Sequence, residues 1–180
     1  MSGSETISVV RTEDLSVDIR AMVVQVCVAA FGSDDFRQMF AHIPSGGRHF
    51  LAWRDERVVC HAVVTTRWLQ PEGFPALKTA YVDAVATLPA CQGQGVGSAV
   101  MRRLAQNVSD YDIAGLKTAS PGFYARLGWE SWRGPLAGRR SDGLVPTPKQ
   151  QGVMMLRLPQ TPLLSLDSAL SIECQPGRIW

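Results

Sequence analysis

Long hydrophobic runs are missing from this sequence, and so is an excess of charge of either sign. No apolar stretch approaches the ~20 residues that a membrane-spanning helix needs. Eighteen basic residues face 16 acidic ones, leaving a net charge of +2. That imbalance is too small to argue for nucleic acid or a membrane surface as partner. Cysteine is sparse: Cys27, Cys60, Cys91 and Cys174 lie far apart with no C-x-x-C spacing. Reduced thiols in a cytoplasmic protein are expected, and no zinc or other metal site. Residues 1–5 hold no basic segment followed by an apolar one, so no secretory signal is expected. Repeats, low-complexity tracts and an interdomain linker are lacking too. What remains is 180 residues, 46% hydrophobic and 19% charged, the composition of a globular enzyme with a sizeable core. A single domain over residues 1–180 is expected.

One stretch organises the rest. Ala80 to Thr87 is an apolar run of strand character that Pro89 ends. A loop with Gly93, Gly95 and Gly97 follows. Val96, Val100, Leu104 and Val108 then recur every fourth residue, on one helical face. Strand, glycine loop and helix make an anion cradle, because glycines admit close backbone approach and the helix N-terminus adds its dipole.

The other elements fall around it. Ile7–Val10 reads as a first strand. Ile19 to Phe31 carries a clear helical apolar pattern, with Ser16 as N-cap and Gly32 as stop. A second, short helix is expected from Ser33 towards Ile43. His49–Trp53 and Arg57–Leu69 are strands joined by a tight Asp55-Glu56 turn, so an antiparallel hairpin is expected. The opening strand then makes three in meander. Ile113–Thr118 is a strand, Pro121–Leu127 a short helix, and a strand starts at Trp129–Trp132. Gly134 to Gly152 reads as a long surface loop, Val153–Leu158 as a strand, and the tail to Trp180 as a docked segment.

Gln92-Gly-Gln-Gly95-Val-Gly97 fits the Q/R-x-x-G-x-G/A signature of GNAT-superfamily acyltransferases, and Tyr124-Ala-Arg-Leu-Gly-Trp129 fits their Y-x-x-x-G-[FW] segment. Phe31-Gly-Ser-Asp-Asp35-Phe36, Gly46-Gly47-Arg-His49, His61-Ala62, Tyr81-Val-Asp83-Ala-Val85 and Gly177-Arg-Ile-Trp180 resemble aminoglycoside 2'-N-acetyltransferases across nearly the whole chain. The resemblance implies an α/β GNAT fold: a central mixed, mostly antiparallel twisted sheet flanked by helices, with a splayed strand pair that binds CoA. It also implies acetyl-CoA as co-substrate, an aminoglycoside as small-molecule partner, direct transfer in a ternary complex, antibiotic resistance as the outcome, and a homodimer.

The same resemblance assigns roles. The amides of Gln92, Gly93, Gln94, Gly95, Val96, Gly97 and Ser98 would hold the CoA pyrophosphate. Val85 and Thr87 would pair with pantetheine, and the N–H near Val85 would polarise the thioester carbonyl. Tyr124 would protonate the departing thiolate; a phenol, with a reference pKa of ~10, can donate at neutral pH. Asp83 is an acid in an apolar strand, and such a carboxylate needs an explanation. The family has Glu here, accepting the amine proton through water, and the shorter Asp makes the water relay more necessary. On the alternative reading, Asp83 caps a local backbone bend. Trp180 would bring the chain-terminal carboxylate near the acceptor. Asp35, with Phe36 beside it, would contact the acceptor amines.

Three departures bear on substrate. Phe40 stands where the family has a carboxylate, Lys149-Gln150-Gln151 replaces an acidic cluster, and Arg178 replaces an acid before the final Trp. A site that loses negative charge and gains Lys149 and Arg178 suits a weakly cationic, carboxylate-bearing acceptor such as kasugamycin. Two other readings compete: a GNAT enzyme for a peptide N-terminus, polyamine or metabolite, and a non-catalytic acyl-CoA sensor. His42, His49 and His61 are each isolated in sequence, and His61 is expected to be a hydrogen-bonded structural residue rather than a base.

Overall fold

The computed structural model describes residues 6–180; the expectation for residues 1–5 lies outside them. The described chain forms two compact units, residues 6–65 with 82–107 and residues 66–81 with 108–180. Two long strands, β3 (Arg57–Pro71) and β4 (Leu77–Thr87), contribute to both.

In the first unit, β1 (Thr6–Arg11) pairs antiparallel with β2 (Arg48–Arg54), and β2 with β3. Asp55 and Glu56 both have positive φ, as a type I′ hairpin turn requires. Helix α1 (Val17–Phe31) starts where expected: the Ser16 hydroxyl accepts from the Ile19 N–H, and left-handed Gly32 closes it. Its buried residues Val23, Val26 and Cys27 pack with Leu15, Met39, Leu51, Val58 and Ala86. The second helix towards Ile43 is a 3-10 segment, Asp34–Ala41, kinked at Gln38. Helix α2 (Val96–Gln106) follows the glycine loop, and its stripe Val96, Val100 and Leu104 is buried, as is Val108 beyond its end.

In the second unit the strand order is β6-β9-β5-β4-β3-β10-β7-β8. β5 (Ile113–Lys117) and β6 (Glu130–Ser131) both pair antiparallel with β9 (Val153–Arg157). Of the predicted strand at Trp129–Trp132 only Glu130 and Ser131 form the ladder: the Trp129 N–H bonds back to the Tyr124 carbonyl at 3.2 Å, while the Trp132 N–H still reaches the Val153 carbonyl at 2.9 Å. The expected surface loop at 134–152 is corrected: it folds into a hairpin of β7 (Leu136–Arg140) and β8 (Gly143–Pro146). Its glycines and prolines mark turns and strand ends rather than one long loop. A Cβ at Gly134 would run into the Ser168 carbonyl, and one at Gly152, where φ is +76, into the Thr118 carbonyl.

The tail docks as expected. β10 (Leu170–Glu173) lies between β3, antiparallel, and β7, parallel. The Arg67 side chain, 1% exposed, fastens it. Its Nε donates to Glu173 Oε1 at 2.8 Å, and its Nη2 to the carbonyls of Glu173 at 2.6 Å and Ile179 at 2.8 Å. Trp180 joins the core of Leu69, Tyr81, Ile113, Trp132 and Leu170.

Candidate active site

The glycine loop is built in the first unit. Beyond β4, Pro89–Cys91 makes a single 3-10 turn. Gly93 and Gly95 have φ of 74° and 86°, left-handed values that a side chain adopts only at a cost. Gly95 caps α2 with no side-chain bond. The N–H groups of Val96, Gly97 and Ser98 therefore open the helix as the orphan donors of its first turn. Both glutamines brace the loop: Gln92 Nε2 donates to the Thr87 carbonyl at 3.1 Å and Gln94 Nε2 to the Ala90 carbonyl at 2.8 Å. Arg54 Nη1 donates to Gln94 Oε1 at 3.0 Å. One detail differs from the sequence reading: Gly97 lies inside α2, not in the loop, so two glycines rather than three shape the turn.

The end of β4 departs from simple alternation. Asp83, Ala84 and Val85 are all half-buried between buried Val82 and Ala86, and Ala84 has φ of 48°. Left-handed backbone at Ala84 breaks the two-residue period of the strand. Thr87 is half-buried, and its hydroxyl donates to Cys60 Sγ at 3.2 Å.

Asp35 and Phe36 belong to the same unit. Asp35 is exposed; the cap of its 3-10 segment is Ser33, whose hydroxyl accepts from the Asp35 N–H at 3.2 Å. Phe36 stacks on Phe31 with ring centroids 4.5 Å apart. Phe40 is a packing residue: its ring stacks on His49 with centroids 5.6 Å apart, and the Arg20 guanidinium lies 5.1 Å from its ring centroid.

The second unit holds Tyr124, Lys149, Arg178 and Trp180. Tyr124 is buried in α3 (Pro121–Ala125), edge-on to Phe123 at 4.9 Å and Trp129 at 6.0 Å. Lys149 is exposed in the turn after β8, where Thr147, Pro148 and Gln150 join it around an open hollow of about 450 Å³. Trp180 Nε1 donates to Thr147 Oγ1 at 3.0 Å, and Arg178 Nε to the Trp180 main-chain oxygen at 3.2 Å. The Arg178 and Arg67 guanidiniums lie 5.3 and 5.1 Å from the Tyr81 ring centroid, close enough for cation–π attraction.

Sequence reasoning missed a buried polar chain in the first unit. His49 Nδ1 lies 2.9 Å from His61 Nε2, His49 Nε2 lies 3.1 Å from Thr12 Oγ1, and His61 Nδ1 lies 2.8 Å from the Ala84 carbonyl oxygen. Both rings are fully buried. Burial, then the nearby His61 and Arg20 charges, pulls the His49 pKa down to about 3. Burial pulls His61 down to about 4, the Ala84 carbonyl opposing it. Cys27 Sγ sits 3.8 Å from His61 Nδ1, and burial, reinforced by Cys60, pushes its thiol up to about 12. The histidines are therefore a pair rather than isolated residues, while the structural reading of His61 agrees with its hydrogen bonds. A tight turn at Asp55-Glu56 alone would set Arg54 opposite Arg57 and His49 opposite Ala62, with the two rings on opposite faces. A register shift between Ala52 and Trp53 sets His49 opposite Val63 instead. That one-residue slip brings both rings to one face.

The chain matches the acetyltransferase (GNAT) domain family over residues 15–132. It is 29% identical to an aminoglycoside 2'-N-acetyltransferase of Mycolicibacterium fortuitum, over 97% of this chain and 92% of that protein. Among solved structures it is similar to the GNAT family N-acetyltransferase YhbS of Escherichia coli in complex with CoA. There the TM-score is 0.67 at 15% identity, covering 95% of this chain and 91% of that one. It is also similar to Eis1 of Mycobacterium abscessus, with a TM-score of 0.62 at 18% identity over 74% of this chain. The match spans only 33% of Eis1's length.

Proposed function

This chain belongs to the GNAT acetyltransferase family, and from that premise we propose that it moves the acetyl group of acetyl-CoA to the 2'-amino group of an aminoglycoside. The observation that carries the reading is the near end-to-end similarity to an aminoglycoside 2'-N-acetyltransferase. We read residues 1–180 as one such domain, since the matched stretch draws on both units. The open amides of Val96, Gly97 and Ser98, behind left-handed Gly93 and Gly95, suit the CoA pyrophosphate. Val85 and Thr87 offer main-chain groups to pantetheine. Asp83 takes the amine proton through an ordered water, and Tyr124 protonates the thiolate as the C–S bond breaks.

The charge around Trp180 supports a weakly cationic acceptor. Arg178 Nε donates to the Trp180 main-chain oxygen and its guanidinium lies against Tyr81; it is half-buried rather than a free surface charge. Held there, Arg178 occupies the Trp180 oxygen that would otherwise meet an acceptor amine, which disfavours a polycationic aminoglycoside and favours one with few amines and its own carboxylate, as kasugamycin has. The test is release of free CoA thiol with kasugamycin, kanamycin, gentamicin, spermine and short peptides as acceptors. Kasugamycin is expected to turn over fastest. Faster turnover of kanamycin would overturn the charge argument, and release with spermine or peptides alone would favour the other-amine reading.

A further inference from the structure

We propose that His61 is a positioning residue for this transfer: through an ordered chain, Thr12 to His49 to His61, it holds the Ala84 carbonyl inward and so aims the Val85 N–H outward, as donor to the thioester oxygen. The proposal rests on the functional reading above.

The hydrogen bonds run in one direction. A carbonyl oxygen only accepts, so His61 must carry its proton on Nδ1, 2.8 Å from the Ala84 oxygen. In a neutral ring His61 Nε2 then accepts, and His49 must donate to it from Nδ1 across 2.9 Å. His49 Nε2 accepts in turn, and the Thr12 hydroxyl donates across 3.1 Å. The Gly47 carbonyl, 3.3 Å away, is a second acceptor for that one hydroxyl proton; the bare His49 Nε2 at 3.1 Å is the nearer of the two. The opposite direction would set the Nδ1 lone pair of His61 against the Ala84 lone pairs in a buried site, leaving an acceptor unsatisfied. A charged His61 would satisfy both neighbours, but burial holds it neutral at physiological pH.

The consequence reaches the strand through one peptide plane. Ala84 is left-handed without being glycine, a conformation that persists only where its surroundings over-determine it. The bond to His61 is such a constraint. The Ala84–Val85 peptide is planar and trans, so its C=O and N–H point in opposite directions. With the oxygen drawn to the buried histidine, the Val85 N–H is turned away from the core. Neither histidine touches a reacting atom.

Two measurements test this. Nitrogen-15 NMR of the imidazoles in the unliganded protein is expected to show Nδ1 protonated and Nε2 bare in both rings, the less common tautomer in water. A proton on His61 Nε2 would overturn the chain, whatever the protein's substrate. In kinetics, His61→Leu is expected to bind acetyl-CoA within about threefold of the wild type and to lose at least about tenfold in kcat, a fraction of what loss of a whole oxyanion donor costs. His61→Asn places an amide N–H near the Nδ1 position and is expected to recover most of that loss. Unchanged kcat in a folded His61→Leu protein would overturn the positioning role. Should the leucine variant fail to fold, the His61→Gln and His61→Asn pair decides: equal kcat in both would overturn it, since only Asn reaches Ala84. A wild type that acetylates nothing would remove the functional reading, and the tautomers would still decide the chain.

Discussion

Asp83→Asn is expected to lower kcat for acetyl transfer about 10²-fold while changing the KM for acetyl-CoA by less than about threefold. General bases contribute about 10²–10⁴ in rate, and the lower end suits a carboxylate that works through water. Asn has the same shape as Asp, so packing at this half-buried position is retained while the proton acceptor is lost. A structural role would read differently. The backbone does bend beside Asp83, at Ala84, and a carboxylate that merely caps the bend would lower stability with little effect on kcat. Asp83→Glu separates the two further. It restores the longer family side chain and is expected to keep kcat within about tenfold of the wild type. Steady-state kinetics alongside urea unfolding of all three proteins checks the set.

Acidification from pH 7 to 5 is expected to cost about 2 kcal/mol of stability for each of His49 and His61. Their folded-state pKa values, about 3 and about 4, lie below the 6.5 of the unfolded chain. Between these limits the unfolded state binds protons that the native state refuses, so stability rises with pH. The contribution is fully present above about pH 6.5 and is lost as pH falls towards 4, at 1.36 kcal/mol per unit for each ring. Most carboxylates titrate below pH 5, so this window isolates the histidines. Together the pair removes about 4 kcal/mol, a large part of a typical domain's 5–15 kcal/mol. Urea midpoints at pH 7 and pH 5 measure it. A midpoint that does not move would mean that the rings accept protons as freely in the folded state as outside it.

Periodicity carried most of the fold. The α1 stripe, the Asp55-Glu56 turn and the strand–loop–helix around Gly95 need only local chemistry, and all three stand where the residues put them. Two features needed tertiary information. The β7–β8 hairpin was hidden because glycine and proline mark strand ends as well as loops, and because the tail strand β10 that pairs with β7 lies some 30 residues later. The histidine chain was hidden by a single register shift at Ala52/Trp53. A shift of that kind leaves no mark in composition, yet it decides which side chains share a face. The glycine loop was legible down to the helix dipole. The bend at Ala84 was legible only as the alternative reading of Asp83, because alanine advertises no positive φ.

The most direct test of the central reading is where the acetyl group ends up. Wild-type protein, acetyl-CoA and kasugamycin are incubated, and the product is identified by mass spectrometry and by two-dimensional NMR of the sugar ring. One added acetyl group is expected, as an amide on the 2'-nitrogen formed in step with the release of one CoA thiol. An acetyl group on any other nitrogen or on a hydroxyl, or CoA release with no modified aminoglycoside, would contradict it.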